Sequence, residues 1–91
     1  MYFRITIPAL QDGKKDEAVS FVKENVMTSF DGMPGLLSMS AAITGDTSFI
    51  NMAAWESKEA VEAVAEKIQA TLADEASFMA APPVIYEGDE V

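Results

Sequence analysis

The side chains able to do chemistry in this chain are few, and the absences narrow the field first. There is no cysteine and no histidine. Thiolate nucleophiles, disulfides, the commonest metal ligand and the commonest neutral-pH acid–base group are therefore all missing. What remains on strand-like stretches is a set of polar and aromatic groups: Tyr2, Arg4 and Thr6, then Ser38 and Ser40, then Phe49, Asn51 and Trp55, and finally Tyr86. Arg4 suits an anion, since a fixed guanidinium in low-dielectric surroundings favours the ionised form of a bound acid. The Asn51 amide and the Trp55 indole N–H can orient ligand oxygens. No residue is an evident base. Tyr86 or Tyr2 beside Arg4 could take a proton with a lowered pKa, and water is the alternative.

Structural roles compete at each of these positions. Arg4 could pair with a carboxylate across an interface, and Trp55 could anchor one. Ser38 and Ser40 could simply let two sheets approach. Asn51 needs hydrogen-bond partners wherever it is buried. Other recurring groups read as structure. Glu56, Glu59, Glu62 and Glu66 alternate with Lys58 and Lys67 opposite an apolar stripe, the pattern of a solvated helix face. Met27, Met33, Met39, Met52 and Met79 have no Cys or His beside them and read as gap-filling side chains, so no metal site is expected. Gly32, Gly35 and Gly45 are turn residues whose spacing matches no phosphate-binding loop.

The elements that must position these groups follow the order β-α-β-β-α-β. Residues 2–8 alternate, with Phe3, Ile5 and Ile7 on one side, Tyr2, Arg4 and Thr6 on the other, and Pro8 ending the strand. A helix is expected from about Lys14 to Phe30, carrying Ala18, Val19, Val22, Val26 and Phe30. Asp31-Gly32 and Pro34-Gly35 stop it. A second helix starts after Ser57 as N-cap, with Val61, Val64, Ala65, Ile68 and Leu72 on its stripe. It ends before Pro82-Pro83, and Val84-Ile85-Tyr86 forms a short last strand. Residues 87–91 read as a loose polar tail. The whole of 1–91 is a single domain.

Between the helices, Leu36–Thr44 and Thr47–Trp55 form a hairpin about a Gly45-Asp46 turn, pairing Thr44 with Thr47 and Leu36 with Trp55. That register puts Leu37, Met39, Ala41, Ile43, Ile50, Met52 and Ala54 on one wholly apolar face, expected under the helices. The other face collects Leu36, Ser38, Ser40, Ala42, Phe49, Asn51, Ala53 and Trp55 without a single charge. A water-facing sheet surface would carry charges. This one is expected to be covered by a second copy of the chain, since no third helix is available.

The chain carries 6 Lys and Arg against 15 Asp and Glu, a net charge of −9. No basic cluster is present to displace counterions from nucleic acid, and an anionic membrane would repel the protein. The start of the chain has no secretion pattern, so a cytoplasmic location is expected.

Three features together resemble the antibiotic biosynthesis monooxygenase family: the element order, Pro34-Gly35 entering the second strand, and Trp55-Glu56-Ser57-Lys58-Glu59-Ala60 leaving the third. The likeness runs from Phe3 to about Tyr86. It implies an α+β, ferredoxin-like fold pairing sheet to sheet into a homodimeric α/β barrel. In the small-molecule pocket that such a fold offers, the residues of the hairpin's uncharged face and of the neighbouring strands supply the expected site: Arg4, Asn51, Trp55 and Tyr86 as catalytic groups, with Tyr2, Thr6, Ser38, Ser40 and Phe49 binding substrate. The family spans cofactor-free oxygenases of quinols and anthrone-like polyketides, haem-degrading monooxygenases and an isomerase of a phosphorylated sugar. The haem ligand would fall near Ala65, where no histidine stands, so that branch does not fit. The leading expectation is a monooxygenase needing no cofactor, acting on an aromatic or quinol-like substrate. A non-catalytic ligand-binding or stress-response barrel and an isomerase of a small carbonyl compound are the alternatives.

Overall fold

The computed structural model describes residues 1–91. Its elements are β1 (Tyr2–Leu10), α1 (Lys15–Phe21) running through a π-helical turn at Val22–Val26 into α2 (Met27–Phe30), β2 (Leu36–Gly45), β3 (Ser48–Trp55), α3 (Lys58–Ala63), α4 (Ala65–Glu75) and β4 (Met79–Asp89). The strands form one antiparallel sheet in the order β2-β3-β1-β4. This is the ferredoxin-like α+β arrangement, with both helical arms on one face.

The first arm buries Ala18, Val22, Val26 and Phe30. Residues spaced by four drift about 40° per step around a helix of 3.6 residues per turn. The wider π-helical turn over Val22–Val26 reduces that drift and keeps the four side chains over the sheet. The second arm starts where Ser57 Oγ accepts the Ala60 N–H at 3.2 Å, the expected N-cap. It breaks at Val64, whose φ of −116° and ψ of 17° leave helical geometry, and resumes as α4.

Two motifs of the resemblance meet in space. Gly35 has φ +81°, and a Cβ there would lie 2.5 Å from the Ala60 Cβ, so this glycine serves both the turn and the approach of α3. The Gly35 carbonyl accepts the Glu56 N–H at 2.8 Å, tying the end of β3 to the start of β2.

Three expectations are corrected. Pro8 does not end β1, which runs to Leu10. Its missing N–H falls where the β1–β4 pairing shifts register, between Ile7 and Ala9, while pairing with β3 continues to Ala9↔Ser48. The last strand is eleven residues long, and the tail expected to be loose belongs to it as far as Asp89 and pairs with β1. Asp89 lies opposite Tyr2, and the Glu90 N–H donates to the Met1 carbonyl at 2.8 Å. Pro82 and Pro83 are tolerated because β4 is an edge strand.

The third correction matters most. The hairpin turn is Asp46-Thr47 rather than Gly45-Asp46, with Gly45 opposite Ser48 and register shifts between Ile43 and Gly45 and between Leu36 and Ser38. The pairing therefore slips by one residue, to Ile43↔Phe49, Ala41↔Asn51 and Met39↔Ala53. A one-residue slip moves side chains to the opposite face of their partners. Phe49, Asn51, Ala53 and Trp55 share the helix-covered face with Met39, Ala41 and Ile43, whereas Ile50, Met52 and Ala54 share the open face with Ser38, Ser40 and Ala42. Burial decides this choice: Trp55 and Phe49 each remove more apolar surface from water than Ile50 or Met52 would. Both are buried, together with Tyr2, Leu10, Val61 and Ile68.

Candidate functional site

The helix-covered face of the sheet brings most of the chemical groups together. Arg4 and Thr6 on β1 lie opposite Ala53 and Asn51 on β3, and Tyr2 lies opposite Trp55. Above them stand Val26 and Phe30 from the first arm and Ile68, Thr71, Leu72 and Glu75 from the second. Between sheet and arms lies a half-open cavity of about 50 Å³ whose floor includes Arg4, Thr6, Met39, Phe49, Asn51 and Trp55. Phe49 also borders a second, apolar cleft of about 320 Å³ between the first arm and β2, lined by Val19, Val22, Met27 and Ile43 among others. The Phe49 ring is thus a shared wall.

Two polar atoms in the cavity have no hydrogen-bond partner within the protein although they are buried: Asn51 Oδ1, an acceptor, and Trp55 Nε1, a donor. Both side chains line the same cavity. An orphaned buried polar atom costs about 1–3 kcal/mol, so this complementary donor and acceptor in one cavity call for a partner, either water or a polar ligand. Arg4 is largely buried, with 14% of its side chain exposed, and its Nη1 donates to Glu87 Oε2 at 3.1 Å. That carboxylate comes from β4 of the same chain, so the ion pair needs no second subunit. Glu87 fixes the guanidinium and offsets part of its charge.

Glu75 is the group that the sequence reading missed. It is 8% exposed, and burial pushes its carboxyl up from the ordinary 4.5 to about 7. The signal was present: Glu75 follows Ile68 by seven residues and Leu72 by three, so it continues the buried stripe of the second arm. A carboxylate on an apolar stripe is an anomaly the other glutamates do not share, since Glu56, Glu59, Glu62 and Glu66 are all exposed.

The remaining sequence-selected residues lie elsewhere. Tyr86 is opposite Ile5, on the open face, and is 61% exposed. Ser38 and Ser40 are opposite Ala54 and Met52 and are likewise on the open face. The slipped hairpin register removes the two serines from the cavity, and the β4 register removes the tyrosine. Tyr2 is buried beside Trp55 at the end of the sheet but does not line the cavity. Burial first, and then the nearby Glu87 carboxylate, push its phenol pKa up, the opposite of what a tyrosine base requires. No group of three or more His, Cys, Asp or Glu side chains is placed to hold a metal ion.

Fold and site together define a small ferredoxin-like domain with a half-open, mainly apolar pocket between its sheet and helices, into which a few polar groups project. No protein-family model matches the sequence, and no curated protein matches it. Solved structures do share its fold. A monooxygenase of Streptomyces coelicolor from the gene ActVA-Orf6, solved with nanaomycin D, superposes with a TM-score of 0.78 at 22% identity, covering 99% of this chain and 87% of that one. A Nitrosomonas europaea protein bearing the name of an antibiotic biosynthesis monooxygenase gives 0.84 at 18% identity, covering 100% and 99%. A Caulobacter crescentus protein of the same designation gives 0.82 at 19% identity, covering 99% and 89%. The fold expected from the sequence is the fold these proteins have. No helix of the chain is long and apolar enough to cross a membrane.

Proposed function

We propose that the chain is a monooxygenase that oxidises a small quinol-like or anthrone-like aromatic with dioxygen, using no cofactor. The observation that carries this reading is the convergence of an unpartnered indole N–H, an unpartnered amide oxygen and an anchored guanidinium on one cavity between sheet and helices. Such a substrate reacts with dioxygen once it is deprotonated to an electron-rich anion, so the protein has to orient it, favour the anion and exclude water. Trp55 Nε1 would donate to a substrate oxygen, Asn51 Oδ1 would accept from a hydroxyl, and Arg4 would stabilise the developing charge. For an anthrone the stoichiometry closes with dioxygen alone: one oxygen atom enters the ring ketone and the other leaves as water. The nanaomycin D complex of the Streptomyces neighbour supports a small-molecule site in this fold.

Size constrains the pose. A cavity of about 150 Å³ accommodates a benzene ring, three times the space enclosed here. The cavity therefore takes only the oxygen-bearing edge of the substrate.

The open face of the sheet completes the proposal. Phe3, Ile5, Ile7, Ile50, Met52, Val84 and Tyr86 give it an apolar surface without a charged side chain, and Met52 and Tyr86 are well exposed in the single chain. A second copy packed sheet to sheet would cover it and form a homodimeric barrel. The partner is thus moved to the face opposite the cavity. The pocket then lies between one chain's own sheet and helices, and the dimer supplies stability.

The test is dioxygen consumption with a panel of quinols and anthrones in the presence of a chelator and without flavin. Turnover that falls more than tenfold in Arg4→Ala, about 1.4 kcal/mol of barrier or more, is the expected result. Tight binding of these compounds with no product in air would instead favour the non-catalytic ligand-binding reading.

A further inference from the structure

We propose that Glu75 is the base of this site, its carboxylate taking the proton from the hydroxyl or acidic C–H of a substrate held by Asn51 and Trp55. This rests on the oxygenase reading for the identity of the substrate, but not for the proton transfer itself. The geometry carries it: Glu75 lines the same cavity as Arg4, Asn51 and Trp55, from the opposite wall. It is buried, and no hydrogen bond or ion pair engages its carboxylate. A buried carboxylate without a structural partner destabilises the fold and is retained where it serves another purpose.

The surroundings of Glu75 leave it alone in this role. From β1 the charged group facing the cavity is Arg4, already held by Glu87. From β3 come only neutral Asn51, Phe49, Ala53 and Trp55, and from the first arm Val26 and Phe30. On its other side Glu75 meets Leu10, Phe21, Phe78 and Met79, all apolar. With burial holding its pKa near neutrality, it is able to accept a proton at physiological pH and to give it back.

The step balances. The substrate O–H or C–H bond breaks, its electron pair stays on the ring system, and the proton bonds to a Glu75 oxygen. The charge within the cavity is unchanged, moving from Glu75 to a substrate beside Arg4. Dioxygen, the co-substrate of the proposed activity, then accepts electrons from the anion and becomes a ring-bound peroxide. Glu75 returns its proton to that peroxide, and loss of water leaves the ketone and an ionised Glu75.

The test is run without air, so that it does not depend on turnover. The probe is 4-nitrophenol, whose ionised form absorbs visibly, binding to the intact protein at pH 8. Wild type is expected to take up close to one proton per bound probe while the probe keeps its ionised spectrum, because the proton settles on Glu75. Glu75→Gln, which preserves shape, is expected to bind the ionised probe with no uptake. Absence of uptake in wild type overturns the proposal, as does uptake accompanied by the neutral probe spectrum, or failure of the site to hold the phenol. In aerobic assays Glu75→Gln should lower kcat/KM by about 100-fold or more and remove the acid limb of its pH profile. Proton uptake without oxygenation of any quinol would retain the base and discard the oxygenase. Oxygenation that survives Glu75→Gln would do the reverse.

Discussion

Replacing Glu75 with glutamine should stabilise the protein, and only above a definite pH. The folded-state pKa of about 7 lies above the ordinary value of 4.5, so as pH rises the unfolded chain loses this proton first. Below about pH 4 both states keep it, and wild type and variant should be equally stable. Between 4.5 and 7 the wild type loses up to about 1.4 kcal/mol per pH unit relative to the variant. Above 7 both states are ionised and the difference becomes constant. Full desolvation would place that plateau near 3 kcal/mol, and the residual solvent contact of the carboxyl brings it to about 2–3 kcal/mol. With a urea m-value of about 1 kcal/mol/M for a domain this small, the midpoint should move upward by roughly 2 M at pH 8. Urea melts of both proteins at pH 4, 5.5 and 8, at one fixed protein concentration, measure it. Taking the difference between the two proteins cancels the titration of every other carboxylate. A gap that is the same at pH 4 and pH 8, or a variant less stable at pH 8, would refute the burial argument.

Two further substitutions probe the frame around the site. Gly35→Ala forces a Cβ against Ala60 at a positive φ and should cost at least about 2 kcal/mol, lowering Tm by roughly 10 °C. A thermal melt within 2 or 3 °C of wild type would show that the β2–α3 approach relaxes freely. Met52→Lys places a charge in the middle of the open sheet face while leaving the cavity lining intact. Sedimentation should show wild type at twice the single-chain mass and this variant at single-chain mass at micromolar concentration. A wild type already at single-chain mass removes the proposed barrel.

The element order was legible because its punctuation is strong: Ser57 as N-cap, Gly32, Pro34-Gly35, and helical spacing through Val61, Ile68 and Leu72. The hairpin faces were not. Ile50, Met52 and Ala54 on one side of β3 and Phe49, Ala53 and Trp55 on the other are both free of charge, so hydrophobic alternation does not say which side is inside. Burial of Trp55 and Phe49 breaks that tie, and the extra residue accommodated near Gly45, which shifts the turn to Asp46-Thr47, then sets which face of β2 goes with them. Local turn preference favours Gly45-Asp46, and tertiary burial of Trp55 overrides it. Arg4, Thr6, Phe49, Asn51 and Trp55 still reached one cavity, because β1 alternation and the spacing within β3 are indifferent to that slip. Ser38 and Ser40 depend on it and moved to the other face. Glu75 escaped notice among the many glutamates of the second arm, although its place on the Ile68–Leu72 stripe distinguishes it.

Trp55 is the single tryptophan of the chain, so its indole N–H gives one isolated resonance. Titrating the protein with a quinol in the absence of air should move that resonance strongly downfield and slow its exchange with water as the unpartnered donor meets a ligand oxygen. A quinol that binds while leaving the Trp55 resonance where it was would place the binding site elsewhere and contradict the account.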